Sequence, residues 1–337
     1  MRSMSGSRPR NPIRTKPCSD ATDVNRARTR PMWIGWAPLV LAIVHAAAVP
    51  ARAQPWVPGP GEGTVSLTYQ NYYVTGHYSP TGQRTINGAT HSKALVAEFD
   101  VGLPRAIGLT VALPYIRSKY TGPDVYFVGG IPTTPGPLDD GFYHGAFQDL
   151  HVEARRMFEF ENVAIAPLAG ITIPTHEYQT RGEAVPGRHR TDFQIGASLG
   201  TDLGKWLPST YVHGRYALAA AERIDGIPAV RSNIDLEGGH DVARRWTLRG
   251  MVDWQIRHKG PTLAELVAHG WDTHDRFIVS SYTNLGGGLT IRVRRSTELS
   301  GTWVAAVKGK SGAHISRVLA VTLTREFGGG LKGLGNP

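Results

Sequence analysis

The first pattern with chemical meaning is a possible serine nucleophile. Gly196-Ala197-Ser198-Leu199-Gly200 matches the form G-x-S-x-G, which in hydrolases exposes the serine on a strained turn between a strand and a helix. Here Phe193 and Ile195 continue an alternation of apolar and polar residues into the motif. That alternation is typical of a strand interior, so we predict no catalytic role for Ser198.

Two groups of acidic residues and histidine could supply catalytic residues of an enzyme. They are Asp272, His274 and Asp275, and, further upstream, Asp139, Asp140 and His144. Each group offers a base and an orienting carboxylate, but neither has an adjacent nucleophile. We therefore expect no enzyme and no catalytic residue, and a lipase-like or protease-like enzyme stays as an alternative.

Histidines recur in the polar segments and could bind a metal if they converged. None shows the close spacing of a dedicated site, so the sequence predicts neither a metal site nor a cofactor. The histidines concerned are His77, His91, His144, His176, His189, His269 and His274.

The N-terminus has the pattern of an export signal. A basic segment to Arg30 precedes an apolar segment, Met32–Val49, and Ala51-Arg52-Ala53 follows as a cleavage site, with cleavage expected before Gln54. We expect residues 1–53 to be a signal peptide with a basic leader, 54–63 a short periplasmic segment, 64–327 a barrel and 328–337 a flexible tail.

Charge and cysteine content exclude several functions. Of 37 Lys/Arg and 27 Asp/Glu, nine and two lie in residues 1–53, which leaves 28 and 25 for the remainder. So small an excess does not favour nucleic acid as a partner. Cys18, the one cysteine, lies in the leader, so the exported part has no thiol for a disulfide or a zinc site.

The positions that could carry chemistry must be held by strands, because apolar and polar residues alternate from Thr64 onward. In Trp246–Arg257, for example, Leu248 and Trp254 share one side, and Arg249 and Asp253 share the other. About twelve such segments approach the ten-residue length of a tilted membrane strand. We predict an all-β fold, a single antiparallel transmembrane barrel of about 12 strands. A soluble β-sandwich is the structural alternative.

The connections support the barrel, since outer-membrane barrels pair short periplasmic turns with longer outer loops. Short connections are predicted near 104–106, 161, 204–208, 244–245 and 294–296, and long loops near 75–92, 118–146, 174–189, 221–229 and 259–278. Within the last loop, residues 261–269 predict about two helical turns. Aromatic residues near strand ends predict interfacial girdles: Tyr69, Tyr73, Tyr115, Phe158, Trp206, Tyr211, Trp246, Trp254 and Phe327.

If the apolar faces meet lipid, the polar faces line the lumen. Charges of both signs fall on them in similar numbers, which predicts ion pairs in a wet interior. A selective pathway and a plugged barrel both fit this pattern. The residues predicted to line the lumen are Asp149, Glu153, Arg155, Arg215, Asp235, Glu237, Arg249 and Asp253.

Three pieces of sequence carry a family resemblance: Ala146–Leu150 opening one strand, Leu113-Pro114-Tyr115 ending another, and Gly170–Thr175 closing a hairpin. Together they resemble the outer-membrane family named for the meta-pathway of phenol degradation. The resemblance implies a transport role without cofactor or catalytic residues, and aromatic or hydrophobic compounds as substrates.

The last strand, Ile315–Phe327, resembles the terminal signal by which outer-membrane proteins engage the barrel-assembly machinery. We thus expect a Gram-negative outer-membrane barrel, a passive channel or transporter. Its expected partners are outer-membrane lipid, a small-molecule permeant and the assembly machinery. A barrel enzyme and a structural or adhesive barrel are the alternatives.

Overall fold

The computed structural model describes residues 55–128 and 130–329. The predicted signal peptide and most of the predicted tail lie outside the described residues. The strands are β1 (Gly63–Tyr78), β2 (Arg84–Leu103), β3 (Ile107–Thr121), β4 (Tyr126–Val128), β5 (Ile131–Thr133), β6 (His144–Phe147), β7 (Leu150–Arg156), β8 (Phe158–Phe160), β9 (Val163–Ile173), β10 (Asp192–Asp202), β11 (Thr210–Ile224), β12 (Ile227–Ala243), β13 (Trp246–Lys259), β14 (Ser281–Arg294), β15 (Thr297–Lys310) and β16 (Gly312–Phe327).

The main sheet closes on itself as an antiparallel barrel. Neighbouring strands pair in sequence order, and β1 pairs with β16, so that Gly63 lies opposite Phe327. The segments β6, β7 and β8 follow one another along one position of the wall, between β3 and β9. The barrel therefore has twelve strand positions, which confirms the predicted strand number. The strands β4 and β5 form a separate hairpin in a loop.

The two faces of the wall have opposite polarity, as the alternation predicts. Leu67, Ile195 and Leu323 are 46%, 65% and 48% exposed on the outside, whereas Glu153 and Arg215 are buried on the inside. A closed wall also satisfies every ladder hydrogen bond without an edge. An apolar outer surface on such a wall suits hydrocarbon rather than water as its surroundings, which removes the β-sandwich alternative.

The connections divide the barrel into a turn end and a loop end. At the turn end the strands are joined by residues 104–106, 161–162, 203–209, 244–245 and 295–296, as predicted. At the loop end, the long connections are 122–143, 174–191 and 260–280. The predicted loop at 221–229 is wrong, because β11 and β12 continue to a turn of two residues. The loop predicted at 75–92 shrinks to 79–83 because β1 and β2 are longer than a membrane needs.

The segment before β1 lies against side chains of the lumen. The backbone carbonyl of Trp56 accepts a hydrogen bond from Arg155 Nη2 at 3.3 Å. The indole ring of Trp56 lies 6.1 Å from the imidazole ring of His213, measured between ring centroids. Pro60 forms a bridge with Gly102, whose side-chain position is filled by the backbone of Pro58. The segment thus narrows the lumen near the turn end.

A small helical cap covers part of the loop end. It comprises α1 (Leu263–Ala268), a 3₁₀ turn (Trp271–Thr273) and α2 (His274–Phe277), which confirms the helical turns predicted at 261–269. Thr262 caps α1 in a reciprocal capping box with Glu265. Leu266, Phe277 and Ile227 pack together beneath the cap. No helix in residues 55–128 or 130–329 has the length and apolarity to cross a membrane.

Candidate functional site in the barrel lumen

The centre of the inner wall holds an arginine between two carboxylates. Arg215 Nη2 donates to Glu153 Oε2 at 2.6 Å, and its Nη1 lies 3.5 Å from Asp235 Oδ2. Arg215 and Asp235 are direct partners on β11 and β12, but Glu153 is on β7. Gln194 on β10 also donates to Glu153 Oε2, at 3.1 Å, and it reaches across because a side chain at Gly170 would meet it at 2.6 Å.

A second arginine group lies beside the narrowing at Trp56. Arg155 donates to both carboxylate oxygens of Asp100, at 2.8 and 3.0 Å. Thr110 Oγ1 donates to the same carboxylate at 2.6 Å and accepts from Arg155 at 2.8 Å. Such a bidentate pair is stronger and better oriented than a single contact, so Arg155 is fixed against the wall.

A third group continues around the wall. Glu237 accepts hydrogen bonds from Tyr211 at 2.8 Å and from Arg249 at 3.4 Å. Arg249 also donates to Thr302 on β15 at 3.2 Å. We call the three groups together the lumen network: Asp100, Glu153, Arg155, Arg215, Asp235, Glu237 and Arg249.

Two predicted lumen residues lie outside this network. Asp253 accepts a hydrogen bond from Asn284 Nδ2 at 2.9 Å, on the neighbouring strand β14. Asp149 lies between β6 and β7, where the strand pattern is interrupted, and accepts from Tyr178 in the 174–191 connection at 2.5 Å. Tyr211, expected in the aromatic girdle, instead points inward to Glu237, because it shares the alternation of Arg215.

The serine motif does not form a nucleophile elbow. Ser198 lies in the regular part of β10, opposite Arg215 on β11 and Ala166 on β9, and is fully buried. A strand interior gives neither the strained turn nor the helix that the mechanism needs. The structure therefore agrees with the prediction that this motif is part of the wall.

The acidic residues of the 122–143 connection hold loops together. The Asp139 carboxylate accepts backbone N–H bonds from Gly136 and Glu183 at 2.8 Å and from Ala184 at 2.9 Å. Burial is the main reason that the pKa of Asp139 is raised, although these hydrogen bonds oppose the rise. Asp140 contacts His144 at 2.8 Å on the surface. Asp139 thus fixes the backbone of the 174–191 connection at Glu183.

A group that the sequence did not indicate forms at the loop end. Glu183 Oε2 lies 3.3 Å from His77 Nε2 and 3.6 Å from His274 Nε2. Burial alone would raise the pKa of Glu183, but attraction to the imidazoles of His274 and His77 in their protonated form lowers it to about 2. We call His77, Glu183 and His274 the mouth cluster. No spacing in the sequence relates these positions, and Glu183 carries no motif.

Two cavities accompany these groups. One of about 710 Å³ lies within the barrel and is lined by most of the lumen network together with Trp56 and Pro58. Another of about 410 Å³ lies at the loop end, between the helical cap and the ends of β1 and β3, and is lined by His77, Glu183, Tyr120 and Trp271. The first has charged walls, whereas the second has a larger apolar than polar lining, in which His77, Glu183 and Arg257 are the acidic or basic side chains.

A closed antiparallel barrel of twelve strands, apolar outside and charged inside, defines the fold class of outer-membrane barrels. No protein-family model matches the chain, and no curated protein matches it either. Among solved structures, an outer membrane channel from Pseudomonas putida F1 is similar, with 14% identity and a TM-score of 0.61 over 83% of this chain and 100% of that one.

Two further barrels are more distant. The translocator domain of the autotransporter NalP from Neisseria meningitidis has 10% identity and a TM-score of 0.46, over 80% of this chain and 90% of that domain. A monoaromatic hydrocarbon channel has 8% identity and a TM-score of 0.42, over 80% and 89%. The similarity to the Pseudomonas channel shows the fold. The resemblance to the phenol-pathway family stays a prediction.

Proposed function

We propose that the protein is a non-enzymatic, passive channel of the outer membrane for small, water-soluble molecules. The observation that carries this proposal is a cavity of about 710 Å³ inside a barrel with an apolar exterior, lined by four residues of the lumen network, Asp100, Glu153, Arg155 and Arg249. Ionised groups on the inner wall and apolar groups on the outer wall suit an aqueous path across hydrocarbon.

The charges of the network favour polar permeants of either sign. Carboxylates and guanidinium groups alternate along the inner wall. The guanidinium group of Arg215, for example, lies between the carboxylates of Glu153 and Asp235. A passing solute can exchange hydrogen bonds with both kinds of group, which is how channel walls replace part of a hydration shell. An apolar solute gains no such compensation, so the lumen disfavours it.

The segment at Trp56 supports a size limit. Its carbonyl is held by Arg155 and its ring lies near His213, so permeants must pass beside it. The sequence left a selective pathway and a plugged barrel as alternatives, and the proposed partial narrowing lies between the two.

Single-channel conductance in planar bilayers tests the proposal. The protein is purified from outer membranes in detergent, and heat-modifiable gel mobility reports that the barrel is folded. We expect discrete small conductance steps, and larger steps for Trp56→Gly because the narrowing loses its indole ring. Trp206→Gly is the matched control, since Trp206 is 89% exposed at a turn and its loss leaves the lumen unchanged.

Folded barrels that give no steps, in the wild type and in Trp56→Gly alike, would overturn the proposal. Conductance steps of equal size in all three proteins would support the channel but would show that Trp56 does not narrow it. Salts of large cations and large anions, compared in the same bilayer, would then report the selectivity that the network confers.

The apolar cavity at the loop end supports a second candidate, in which the permeant is aromatic or hydrophobic, as the family resemblance implies. Tyr120, Leu266 and Trp271 line it, and a volume of about 410 Å³ is within the range of small-molecule sites. Titration of the protein with a monoaromatic compound, followed by quenching of tryptophan fluorescence, distinguishes this candidate. Leu266→Trp, which fills the cavity, is the variant that must abolish the quenching.

A further inference from the structure

The mouth cluster gathers three potential metal ligands from three separate parts of the chain. His77 lies near the end of β1, Glu183 in the 174–191 connection, and His274 at the start of α2. One ligand atom of each lies within 4.8 Å of those of the other two. Two imidazoles and one carboxylate form a ligand set known from zinc sites that keep one position open.

The distances between the ligand atoms of the mouth cluster are close to those between the ligand atoms of a coordinated zinc ion. Bonds of about 2.0–2.1 Å in a tetrahedral zinc site place neighbouring ligand atoms roughly 3.3–3.4 Å apart. Glu183 Oε2 lies 3.3 Å from His77 Nε2 and 3.6 Å from His274 Nε2. The nitrogen atoms of the two histidines also lie within 4.8 Å of each other.

His274 is oriented as metal ligands usually are. Its Nδ1 lies 2.9 Å from the carbonyl oxygen of Trp271, a hydrogen bond that assigns the proton to Nδ1 and leaves the lone pair on Nε2. The indole of Trp271 stacks on the same ring, with centroids 4.5 Å apart and planes at 2°. The side chain is 1% exposed, yet Nε2 has no hydrogen-bond partner in the described part of the chain.

Ion pairing alone explains this arrangement less well. Asp275 Oδ1 and Glu183 Oε2 lie 3.3 and 3.6 Å from His274 Nε2, but neither is placed to accept a hydrogen bond from it. A protonated imidazole buried without such a bond would be costly. A neutral imidazole with its lone pair directed to a cation would not.

We propose that His77 Nε2, His274 Nε2 and Glu183 Oε2 bind one divalent transition-metal ion, with zinc the best match, and that its fourth position opens toward the loop-end cavity. His77 and Glu183 both line that cavity, so water or a small ligand in the cavity completes the coordination. Softer thiolate ligands are absent from the set, and hard cations such as Ca²⁺ prefer more oxygen atoms than it offers.

The surrounding contacts hold the site together without the ion. Asp139 fixes the backbone of Glu183, and Arg181 pairs with Asp272 in the helical cap at 2.5 Å. The metal would therefore complete a set of ties between the β1 end, the 174–191 connection and the helical cap. The proposed metal site is separate from the lumen cavity, so metal binding does not require conduction through the lumen.

Metal binding by the detergent-purified protein, prepared without a histidine tag and stripped with a chelator, tests the proposal. Zinc is titrated in competition with a chromophoric chelator, and Co²⁺ is used as a visible probe of geometry. We expect one zinc ion per chain. Bound Co²⁺ should give visible absorption bands with the intensity of tetrahedral coordination, and these bands should disappear when zinc replaces Co²⁺. His77→Gln, Glu183→Gln and His274→Gln should each weaken binding by roughly tenfold or more, at least as much as loss of an outer-shell partner.

His144→Gln is the matched control, because His144 is an outer histidine that pairs with a carboxylate on the surface. It should bind zinc as the wild type does. His77→Gln and Glu183→Gln keep the proposal testable if the buried His274 variant fails to fold, as judged by heat-modifiable mobility. An absence of stoichiometric zinc binding would overturn the proposal, as would equal affinity in the three ligand variants and the control.

Discussion

The lumen network and the mouth cluster both place carboxylates beside basic side chains, but the two groups are held in different ways. Network residues sit on strands whose register is set by the wall, as with Arg215 opposite Asp235. The mouth cluster takes His77 from a strand end, Glu183 from an irregular connection and His274 from a helix of four residues. The first region is fixed by the sheet, and the second by contacts between loops.

Because the network is held by the sheet and the mouth cluster by loop contacts, the two regions differ in how readily they can open. A charge in the network is paired across a rigid wall, so its loss disturbs the barrel itself. The mouth cluster depends on loop packing, which opens more readily than a closed sheet. Under the proposed function, the lumen would thus keep a constant path while the loop end responds to what binds there.

Arg215→Met gives the largest expected effect. Arg215 and Glu153 are each 5% exposed, and loss of the arginine removes the guanidinium group that faces both carboxylates, which costs about 3–5 kcal/mol for a buried pair. Denaturant unfolding in detergent, followed by tryptophan fluorescence, measures the loss. Arg292→Met is the control, since the Arg292–Glu298 pair is largely exposed and contributes at most about 1 kcal/mol. Equal losses of unfolding free energy in both variants would contradict the difference expected between the buried Arg215 group and the exposed Arg292–Glu298 pair.

Leu266→Ala should act at the loop end alone. Leu266 is 5% exposed and packs against Ile227 and Phe277, and such a truncation costs roughly 2–5 kcal/mol where the site cannot collapse. Faster amide hydrogen exchange in residues 263–277, with unchanged exchange in the barrel strands, would show a local effect. Leu263→Ala, at a site that is 38% exposed, should change the exchange less. Faster exchange throughout the wall would show instead that the cap and the barrel unfold together.

The capping box of α1 should give the smallest effect and a pH dependence. Thr262→Ala removes the cap and costs about 1 kcal/mol of local helix stability. The backbone N–H of Thr262 donates to the Glu265 carboxylate, which lowers the pKa of Glu265 below its ordinary value of 4.5. The contribution of this carboxylate is therefore complete above pH 4.5 and is lost as the pH falls through the lowered value.

Limited proteolysis of the helical cap at decreasing pH checks this expectation with an acid-active protease. Glu265→Gln is the control, because an amide keeps the reciprocal hydrogen bond of a capping box but does not titrate. Cleavage of the wild type should rise on acidification relative to Glu265→Gln. Parallel curves for the two proteins would exclude the carboxylate as the cause.

The sequence predicts the wall well because alternation is a local property. It places Arg215 and Asp235 on the inner face, and it could also have placed Tyr211 there, two residues from His213 and four from Arg215. It does not show that Glu153 meets Arg215, since Glu153 is on β7 and Arg215 on β11 and that contact forms only when the sheet closes. Asp149 departs from the pattern because the strand is interrupted between β6 and β7.

The mouth cluster lies beyond sequence reasoning for a physical reason. His77, Glu183 and His274 have no common period and are joined only when three loop-end segments pack. His77 and His274 are visible as two of many histidines, but Glu183 is one acidic residue of a polar connection. Burial is what distinguishes it from the others, and burial in a loop follows from tertiary contacts such as those of Asp139.

The pairing of β1 with β16 makes the barrel a ring in which no strand is first or last. Gly63 lies opposite Phe327, so a short linker could join these positions at the turn end without entering the lumen. A permuted chain that starts at the one-residue connection Ser311, between β15 and β16, would keep every strand neighbour. The wall is therefore specified by its circular order of neighbours, and the position of the cut in the polypeptide is free to change.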